Sequence, residues 1–293
     1  MSWNRDLKSK VKRGEPLAKH SAFKIGGRAR FFSLPADLEE LKRLLIHAGT
    51  KRAAVFVIGA GSNILISDKG VNGLVVRLSS PFFKRFHFKG NCLDSSSGVS
   101  LFRLLSAAEA RGLSGLEFLA GIPGTLGGAL AMNAGITGQT IADLVENVSV
   151  MYYNGTIKTL TKRKLRFGYR KSNLNKCVIL GASLKLKRRS KGAIRRLAKE
   201  YLQRRWLTQD RTRPSLGCIF RNPAGLAAGK LIDSCGLKGM RVGGAAVSRK
   251  HANFIVNRQR AKARDVKRLM QLIKNEVKKT HGLELEPEIK IWD

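Results

Sequence analysis

The sequence has few cysteines, and their spacing excludes the common cysteine-based sites. There are four (Cys92, Cys177, Cys218 and Cys235), with no CxxC pair and no histidine at a metal-ligand spacing. This pattern argues against a zinc site and against a disulfide framework. We therefore predict no metal, and we interpret all of them except Cys218 as reduced packing residues.

Acidic residues are also scarce. The 293 residues include 20 Asp and Glu against 56 Lys and Arg, which gives a formal net charge of +36. Such an excess raises the question of nucleic-acid binding. However, the basic residues are spread from Arg5 to Lys290, without zinc-finger spacing, an RNP-like motif or a basic region leading into heptads. We interpret the charge as a solvated surface with no specific nucleic-acid site.

A hydrophobic segment suited to crossing a membrane is lacking. Phe118–Ala142 carries no charge and is long enough to span a bilayer, but it contains six glycines and one proline. Glycine and proline weaken or break helices, so we predict a buried loop that wraps a ligand. The basic N-terminus lacks the apolar stretch of a secretory signal, which predicts a cytoplasmic protein.

Hydrophobic periodicity predicts a mixture of helices and strands. Apolar residues at helical spacing predict helices over 37–48, 99–111, 191–206 and 265–280. Apolar or alternating runs predict strands at 55–58, 74–78, 148–153, 177–186 and 288–292. These elements follow no regular βαβ rhythm, so the predicted fold class is α+β, and the length favours two or three domains.

A first glycine-rich turn follows the predicted strand 55–58, in the segment VFVIGAGSNILISDKG. Glycines let a backbone approach a ligand closely, and successive amides there can bind an anion. The spacing is not that of a Rossmann motif, because Ile64 replaces the third glycine, and the P-loop lysine is absent. A tight turn without a ligand would look the same, so this motif alone leaves both readings open.

A second glycine cluster, GLEFLAGIPGTLGGALAMNAG at 115–135, is more informative. It is apolar, dense in glycine and has a central Pro–Gly–Thr. Such a composition is costly unless the segment packs closely around something. A planar cofactor with a pyrophosphate fits, with Thr125 and amides for the phosphates. The two clusters together predict a dinucleotide bound outside a Rossmann fold.

The same segments resemble the UDP-N-acetylenolpyruvoylglucosamine reductase (MurB) family. The resemblance rests on AGIPGTLGGALAMNAG and GAGSNILISDKGVNGLVV, and on SAFKIGGRARF, FGYRKSNL, the run from GCIFRNP to HANFIVN, and LEPEIKIW, in the family's order. It extends from about residue 18 to the C-terminus. The stretch after FGYRKSNL has no inserted loop, which is similar to the shorter, type II members.

The resemblance implies a fold and a domain division. The fold is a vanillyl-alcohol-oxidase-type, two-domain FAD-binding fold with an additional α/β substrate domain. The implied division is 1–77 with the C-terminal strand 285–293 (first FAD-binding subdomain), 78–186 (second FAD-binding subdomain) and 187–284 (substrate-binding domain).

The resemblance also implies a reaction. NADPH reduces FAD, and hydride then passes from the flavin to the enolpyruvyl group of UDP-N-acetylglucosamine enolpyruvate, which yields UDP-N-acetylmuramate for peptidoglycan. Arg170 matches the arginine that polarises the substrate carboxylate, and Glu288 matches the carboxylate that acts with it. Cys218 stands where most members have the proton-donating serine.

The remaining implied site residues bind cofactor and substrate. The implied cofactor-binding residues are Gly59, Ala60, Gly61, Ser62, Asn63, Ile64, Gly121, Pro123, Gly124, Thr125, Gly127, Gly128, Asn133, Ala134 and Gly135. The implied substrate-binding residues are Tyr169, Asn222, Lys238 and Lys290. Two of these residues depart from the family's pattern: Ala60 replaces a usual glycine, and Lys290 replaces an arginine.

Two alternative functions stay open at this point. A related FAD-dependent oxidoreductase would keep the flavin clusters but act on another substrate. A non-catalytic polyanion-binding protein would use the positive charge and bind no flavin. We expect an enzyme that acts as a monomer on small molecules.

Overall fold

The computed structural model describes residues 11–293 and separates them into two compact units. Unit 1 comprises the described residues up to Arg13, together with Phe31–Ala60 and Asn72–Arg204. Unit 2 comprises Gly14–Arg30, Gly61–Val71 and Arg205–Asp293. The first ten residues of the expected domain 1–77 lie outside the described residues, and the division into three domains stays a prediction.

Local sequence signals set the helix ends. The α-helices are α1 (Leu38–Thr50), α2 (Leu101–Ala110), α3 (Leu126–Ala131), α4 (Lys191–Thr208), α5 (Ala228–Ser234) and α6 (Ala263–His281). Helix α1 begins after Asp37, whose carboxylate accepts a hydrogen bond from the Glu40 amide at 2.9 Å. Helix α6 ends at Gly282, which has a φ of 69° and so takes the left-handed conformation that ends many helices.

The strands are short, and many consist of two to four residues. They are β1 (Val11–Pro16), β2 (Arg28–Ser33), β3 (Ala54–Val57), β4 (Ile64–Ile66), β5 (Val71–Val76), β6 (Phe86–Lys89), β7 (Cys92–Ser96), β8 (Leu113–Ser114), β9 (Gly135–Ile136), β10 (Gln139–Thr140), β11 (Val145–Tyr152), β12 (Ile157–Thr161), β13 (Phe167–Gly168), β14 (Lys171–Ser172), β15 (Cys177–Lys185), β16 (Lys187–Arg188), β17 (Ser215–Cys218), β18 (Arg241–Val242), β19 (Ala245–Val247), β20 (Phe254–Asn257) and β21 (Lys290–Trp292).

Unit 1 is built around a five-stranded antiparallel sheet with the order β12–β11–β15–β7–β6. One buried cluster joins this sheet to α2 and α3, with Leu104 and Leu130 fully buried in it. A second cluster packs α1 against β3 and β5, which pair in parallel. These two strands belong to a sheet with the order β1–β2–β5–β3. The first glycine turn leads from β3 to β4, and the second glycine cluster surrounds α3.

Unit 2 contains a four-stranded antiparallel sheet with the order β17–β20–β19–β18. The apolar stripe of α6 is buried against this sheet, with Val266, Leu269 and Ile273 nearly inaccessible. Strand β21 pairs in parallel with β4, so the C-terminal segment is fixed beside the residues that follow the first glycine turn.

The α+β fold class is confirmed, and so are the four predicted helices, which correspond to α1, α2, α4 and α6 with ends within two residues. The short helices α3 and α5 were not predicted. Within residues 11–293, no helix is both long enough and apolar enough to span a membrane. The uncharged segment Phe118–Ala142 instead folds as turns around α3, β9 and β10.

Candidate active site

The first glycine-rich turn directly follows β3, as its sequence predicts. Gly59 and Ala60 form the unit 1 part of this turn, and their amides donate to no acceptor among residues 11–293. A Cβ built on Gly59 would lie 2.7 Å from Oγ1 of Thr125 in the second glycine cluster. Because only glycine permits this approach, the two motifs come together within unit 1.

The second cluster is fixed to the connection between β7 and α2. Thr125 caps α3, and its Oγ1 accepts a hydrogen bond from the Gly128 amide at 3.4 Å. The amide of Gly127 donates to the Ser97 carbonyl at 2.9 Å. The amides of Gly127 and Gly128, two hydrogen-bond donors of the first turn of α3, are therefore already used within the protein. The loop just before α3, rather than the helix itself, is therefore the better candidate for binding phosphate.

The glycines of the second cluster serve two purposes. A Cβ on Gly127 would lie 2.9 Å from Cβ of Ser97, and one on Gly135 would lie 2.4 Å from the Gln139 carbonyl oxygen. These two positions therefore need glycine for packing within the protein. At Gly128 the nearest atom is 3.7 Å from such a Cβ, so its surface has room for a ligand.

Arg170 lies in the two-residue turn of the β13–β14 hairpin, in unit 1. Its φ of 53° is in the left-handed region, which is costly for a residue other than glycine and is frequent at functional sites. Its Nη1 donates to the Gly135 carbonyl at 3.2 Å, and its guanidinium lies 5.3 Å from the centre of the Tyr169 ring. Arg170 is thus tied directly to the second glycine cluster.

Two further hydrogen bonds attach this hairpin to the cluster. Asn133 donates from Nδ2 to the Gly168 carbonyl at 3.1 Å, and Ser172 donates from Oγ to the Ala131 carbonyl at 3.0 Å. Asn133 is buried, and it also accepts from an amide at the start of the next turn, that of Ala142. Its function is therefore to hold the arginine hairpin beside the cluster. Ser172 was not predicted as a site residue, although it lies in the FGYRKSNL segment.

Unit 2 brings Cys218 and Glu288 together. Cys218 is the last residue of β17, and the Glu288 amide donates to the carbonyl of the following residue, Ile219, at 2.7 Å. The two candidate residues therefore occupy neighbouring positions on adjacent chain segments. Gly217 has a φ of 78°, in the left-handed region that favours glycine, and no atom within 4 Å would meet a Cβ there.

The unit 2 part of the first glycine turn lies beside the same segment. Asn63 donates from Nδ2 to the Glu288 carbonyl at 3.4 Å, and its own carbonyl accepts from the Lys290 amide at 2.9 Å. Gly61 is packed so closely that a Cβ would lie 2.2 Å from the His20 carbonyl oxygen. The expected cofactor residues Gly61, Ser62, Asn63 and Ile64 are therefore held next to a candidate catalytic residue.

The expected substrate residues differ in their surroundings. Tyr169 is half exposed in the arginine hairpin of unit 1. In unit 2, Asn222 accepts a hydrogen bond from the Ala228 amide at 3.0 Å, and Lys238 forms a 2.6 Å ion pair with Asp233. Lys290 is exposed on β21. Among residues 11–293, no group of three or more His, Cys, Asp and Glu side chains is suited to hold a metal ion.

Comparison with known proteins bears on both units. The sequence model described as "UDP-N-acetylenolpyruvoylglucosamine reductase, C-terminal domain" matches residues 209–292, and that of an FAD binding domain matches residues 29–161. UDP-N-acetylenolpyruvoylglucosamine reductase 2 of Symbiobacterium thermophilum is 41% identical, over 97% of this chain and 92% of its own length. The reductase of Chlamydia felis is also 41% identical, over 96% of this chain and 94% of its own. The chain belongs to the UDP-N-acetylenolpyruvoylglucosamine reductase family.

The structural comparison agrees with this assignment. The crystal structure of the MurB reductase from Thermus caldophilus has a TM-score of 0.85 and 38% identity, with coverage of 97% of this chain and 98% of that one. This chain is therefore an FAD-dependent oxidoreductase. Both glycine clusters lie within the FAD-binding match, and Cys218 and Glu288 lie within the reductase match. Arg170 lies outside both, so the hairpin geometry is what connects it to the cofactor segments.

Asn253 fixes the chain segment that follows β17. This buried side chain accepts from the Phe220 amide at 2.9 Å and donates to the Phe220 carbonyl at 2.8 Å. It therefore fixes the strand that continues from Cys218. Burial lowers the pKa of neighbouring His251, and the nearby Lys238 ammonium acts in the same direction, so this imidazole is neutral at neutral pH.

The contact between Gly59 and Thr125 leads to a prediction for FAD binding by this chain. We expect Gly59→Ala to weaken FAD binding about tenfold, because the new methyl group displaces the Thr125 hydroxyl that caps α3. Titration of the apoprotein with FAD, followed by flavin fluorescence, measures this change. Gly49→Ala in α1 is the control, since no atom lies within 4 Å of a Cβ there. Equal FAD affinity in all three proteins would contradict the assigned contact.

Proposed function

We propose that this chain reduces the enolpyruvyl group of UDP-N-acetylglucosamine enolpyruvate to give UDP-N-acetylmuramate, with Arg170, Cys218 and Glu288 as its catalytic residues. It uses FAD and NADPH and acts in the synthesis of the peptidoglycan precursor. The adjacency of Cys218 and Glu288, fixed by the Glu288–Ile219 hydrogen bond, is the main support for the residue assignment.

The chain's glycine segments fit the cofactor. The amides of Gly59 and Ala60 and the Pro123–Thr125 loop offer donors for a pyrophosphate, and Gly128 leaves room for close approach. Bound FAD, once reduced by NADPH, supplies the hydride for the enol ether. Three other expected cofactor residues in unit 1, Gly127, Asn133 and Gly135, support this segment through the packing and hydrogen bonds described above.

Arg170 is proposed to stabilise negative charge on the substrate. As hydride adds to the methylene carbon, charge develops toward the substrate carboxylate, and a fixed guanidinium stabilises it through two parallel N–H donors. The bond from Nη1 to the Gly135 carbonyl fixes the guanidinium beside the second glycine cluster. Glu288 is proposed to act with Arg170 as a proton or hydrogen-bond donor to the same developing charge.

Cys218 is proposed as the proton donor to the carbon next to the methylene group. A thiol has a reference pKa of about 8.5, so it holds its proton near neutral pH and still releases it far more readily than an alcohol. After transfer, solvent protonates the thiolate again. Cys218 is only half buried, which is compatible with access of a substrate carbon to its thiol.

The polar residues of the substrate end are proposed to bind the nucleotide portion. Lys238 and Asn222 are candidates for the diphosphate, and the ion pair with Asp233 orients the Lys238 ammonium. Tyr169 and Lys290 are the remaining candidates. As a point charge, Lys290 lacks the paired donors of the arginine that usually stands there. The cytoplasmic location and the monomeric state are further parts of this proposal.

Anaerobic visible spectroscopy tests the function directly. We expect flavin absorbance that bleaches with NADPH and returns when UDP-N-acetylglucosamine enolpyruvate is added. Bleaching without recovery would indicate an oxidoreductase with another acceptor. A protein that holds no flavin even after FAD is added would contradict the proposal as a whole.

A further inference from the structure

The strong positive charge is not explained by the reductase reaction, and in unit 2 it coincides with exposed apolar surface. Trp206 and Leu207, in the last turn of α4, are 56% and 78% exposed. Among residues 11–293 they are the only two consecutive large apolar side chains that are exposed. Neither belongs to the buried cluster of unit 2. Two adjacent apolar side chains on a soluble surface indicate a contact with something else.

Cationic residues surround this apolar pair. The Arg211 guanidinium lies 5.9 Å from the centre of the Trp206 ring, and the Lys250 ammonium donates to the Trp206 carbonyl. Arg211 and Lys250 belong to two loops, 209–214 and 248–253, and Arg213 and Arg249 are exposed on the same two loops. An open cavity of about 320 Å³ lies here, and it is lined by Trp206, Gln209, Arg211, Thr212 and Lys250. We name Trp206, Leu207 and this lining the Trp206 surface.

Asp210 holds the two loops of the Trp206 surface together. Its carboxylate accepts from Ser248 Oγ at 2.7 Å and from Thr212 Oγ1 at 2.7 Å. Burial by itself raises the pKa of Asp210, but the bonds from Ser248 and Thr212 and the charge of Lys250 outweigh it, so the pKa is lowered. The carboxylate therefore stays ionised at neutral pH, and the arrangement is formed before any ligand arrives.

The side chains of the Trp206 surface indicate which class of partner it binds. A tryptophan and a leucine framed by Arg and Lys match the interface of a bilayer that contains acidic lipids, where tryptophan is enriched and cations bind headgroup phosphates. Nucleic acid would use the cations and stack on Trp206, but it offers nothing to a leucine that is more than three-quarters exposed. Charge complementarity and the exposed leucine both favour the lipid surface.

We propose that the Trp206 surface docks this protein on a bilayer of anionic phospholipid. Trp206 and Leu207 enter the headgroup region, Arg211 and Lys250 bind a headgroup phosphate in the cavity, and the net charge of +36 attracts the protein over a longer range. This surface function is separate from the reductase chemistry, and it does not depend on Cys218 or Glu288.

Vesicle co-sedimentation of the FAD-loaded protein tests the proposal. We expect partition onto vesicles of phosphatidylcholine mixed with phosphatidylglycerol, little partition onto phosphatidylcholine alone, and a decrease as salt rises. Leu207→Ser should lower the partition coefficient about tenfold and Arg211→Gln about fivefold. The matched control is Leu272→Ser with Arg268→Gln on α6, which changes one exposed leucine and one exposed arginine elsewhere in unit 2. Unchanged flavin content and Tm establish that each variant is folded.

Three outcomes would overturn the proposal. The first is an equal loss of vesicle binding in the control variant, which would mean that the charge acts without a specific surface. The second is displacement from vesicles by UDP, which would assign the cavity to the nucleotide part of the substrate. The third is a parent protein that binds single-stranded polyuridylate but no vesicles, and Trp206-surface variants that lose the polyuridylate binding. That result would assign the surface to nucleic acid.

Discussion

Cys218→Ala is expected to slow oxidation of the reduced flavin by the enolpyruvyl substrate by about 10²- to 10⁴-fold, the range for loss of a positioned proton donor. Reduction of the flavin by NADPH should keep its rate, because that half-reaction needs no proton from Cys218. Anaerobic stopped-flow absorbance separates the two steps. Cys218→Ser is the matched control, since it restores a donor of similar size and should recover most of the lost rate.

Thiol-directed reagents give an independent test of the same assignment. Cys218 is only half buried, whereas burial raises the pKa of Cys177 to about 11, which keeps that thiol protonated and unreactive. Cys92 and Cys235 are also half buried, so the deciding variant is Cys218→Ser, which should resist the inactivation by iodoacetamide that the parent protein undergoes. Equal slowing of both half-reactions by Cys218→Ala, or of neither, would show that Cys218 is not the proton donor.

The glycine motifs predicted a ligand segment but not the protein contacts that shape it. Their density in the sequence correctly indicated close approach. The structure shows that Gly127 and Gly135 approach other parts of the chain, while Gly59 approaches Thr125. A glycine that makes room for a ligand and a glycine that makes room for a carbonyl oxygen of the protein cannot be distinguished from the sequence. Only the positions of neighbouring segments distinguish them.

The short elements were the hardest to predict. Helix α3 has six residues, two of them glycine, so neither length nor propensity favours it. It forms because Thr125 caps it and the Ser97 carbonyl binds its first turn. The adjacency of Cys218 and Glu288 was equally invisible, since it joins segments 70 positions apart in the chain through a short antiparallel pairing of backbone groups. Long, periodic helices such as α1 and α6 depend on local sequence and were predicted within two residues.

Arg170→Lys is expected to lower kcat for the enolpyruvyl substrate by about 10²- to 10³-fold, as for loss of a fixed donor to developing charge. Lysine keeps the positive charge but not the planar fork, so the change separates geometry from charge. The substitution also removes the Arg170 bond to Gly135, which makes FAD affinity a necessary second measurement. We expect that affinity to change little, because Asn133 and Ser172 still hold the hairpin.

Backbone strain is the main alternative explanation for such a loss, and the chain offers a control for it. Arg52 is an exposed arginine of unit 1 with a φ of 49°, close to the 53° of Arg170. Arginine and lysine both carry a Cβ and meet the same backbone cost at a positive φ, so Arg52→Lys should leave kcat unchanged. If Arg170→Lys lowers kcat with FAD affinity and Tm retained, the guanidinium acts on the substrate. A fall in FAD affinity that accounts for the whole loss would instead make Arg170 a residue that positions the glycine cluster.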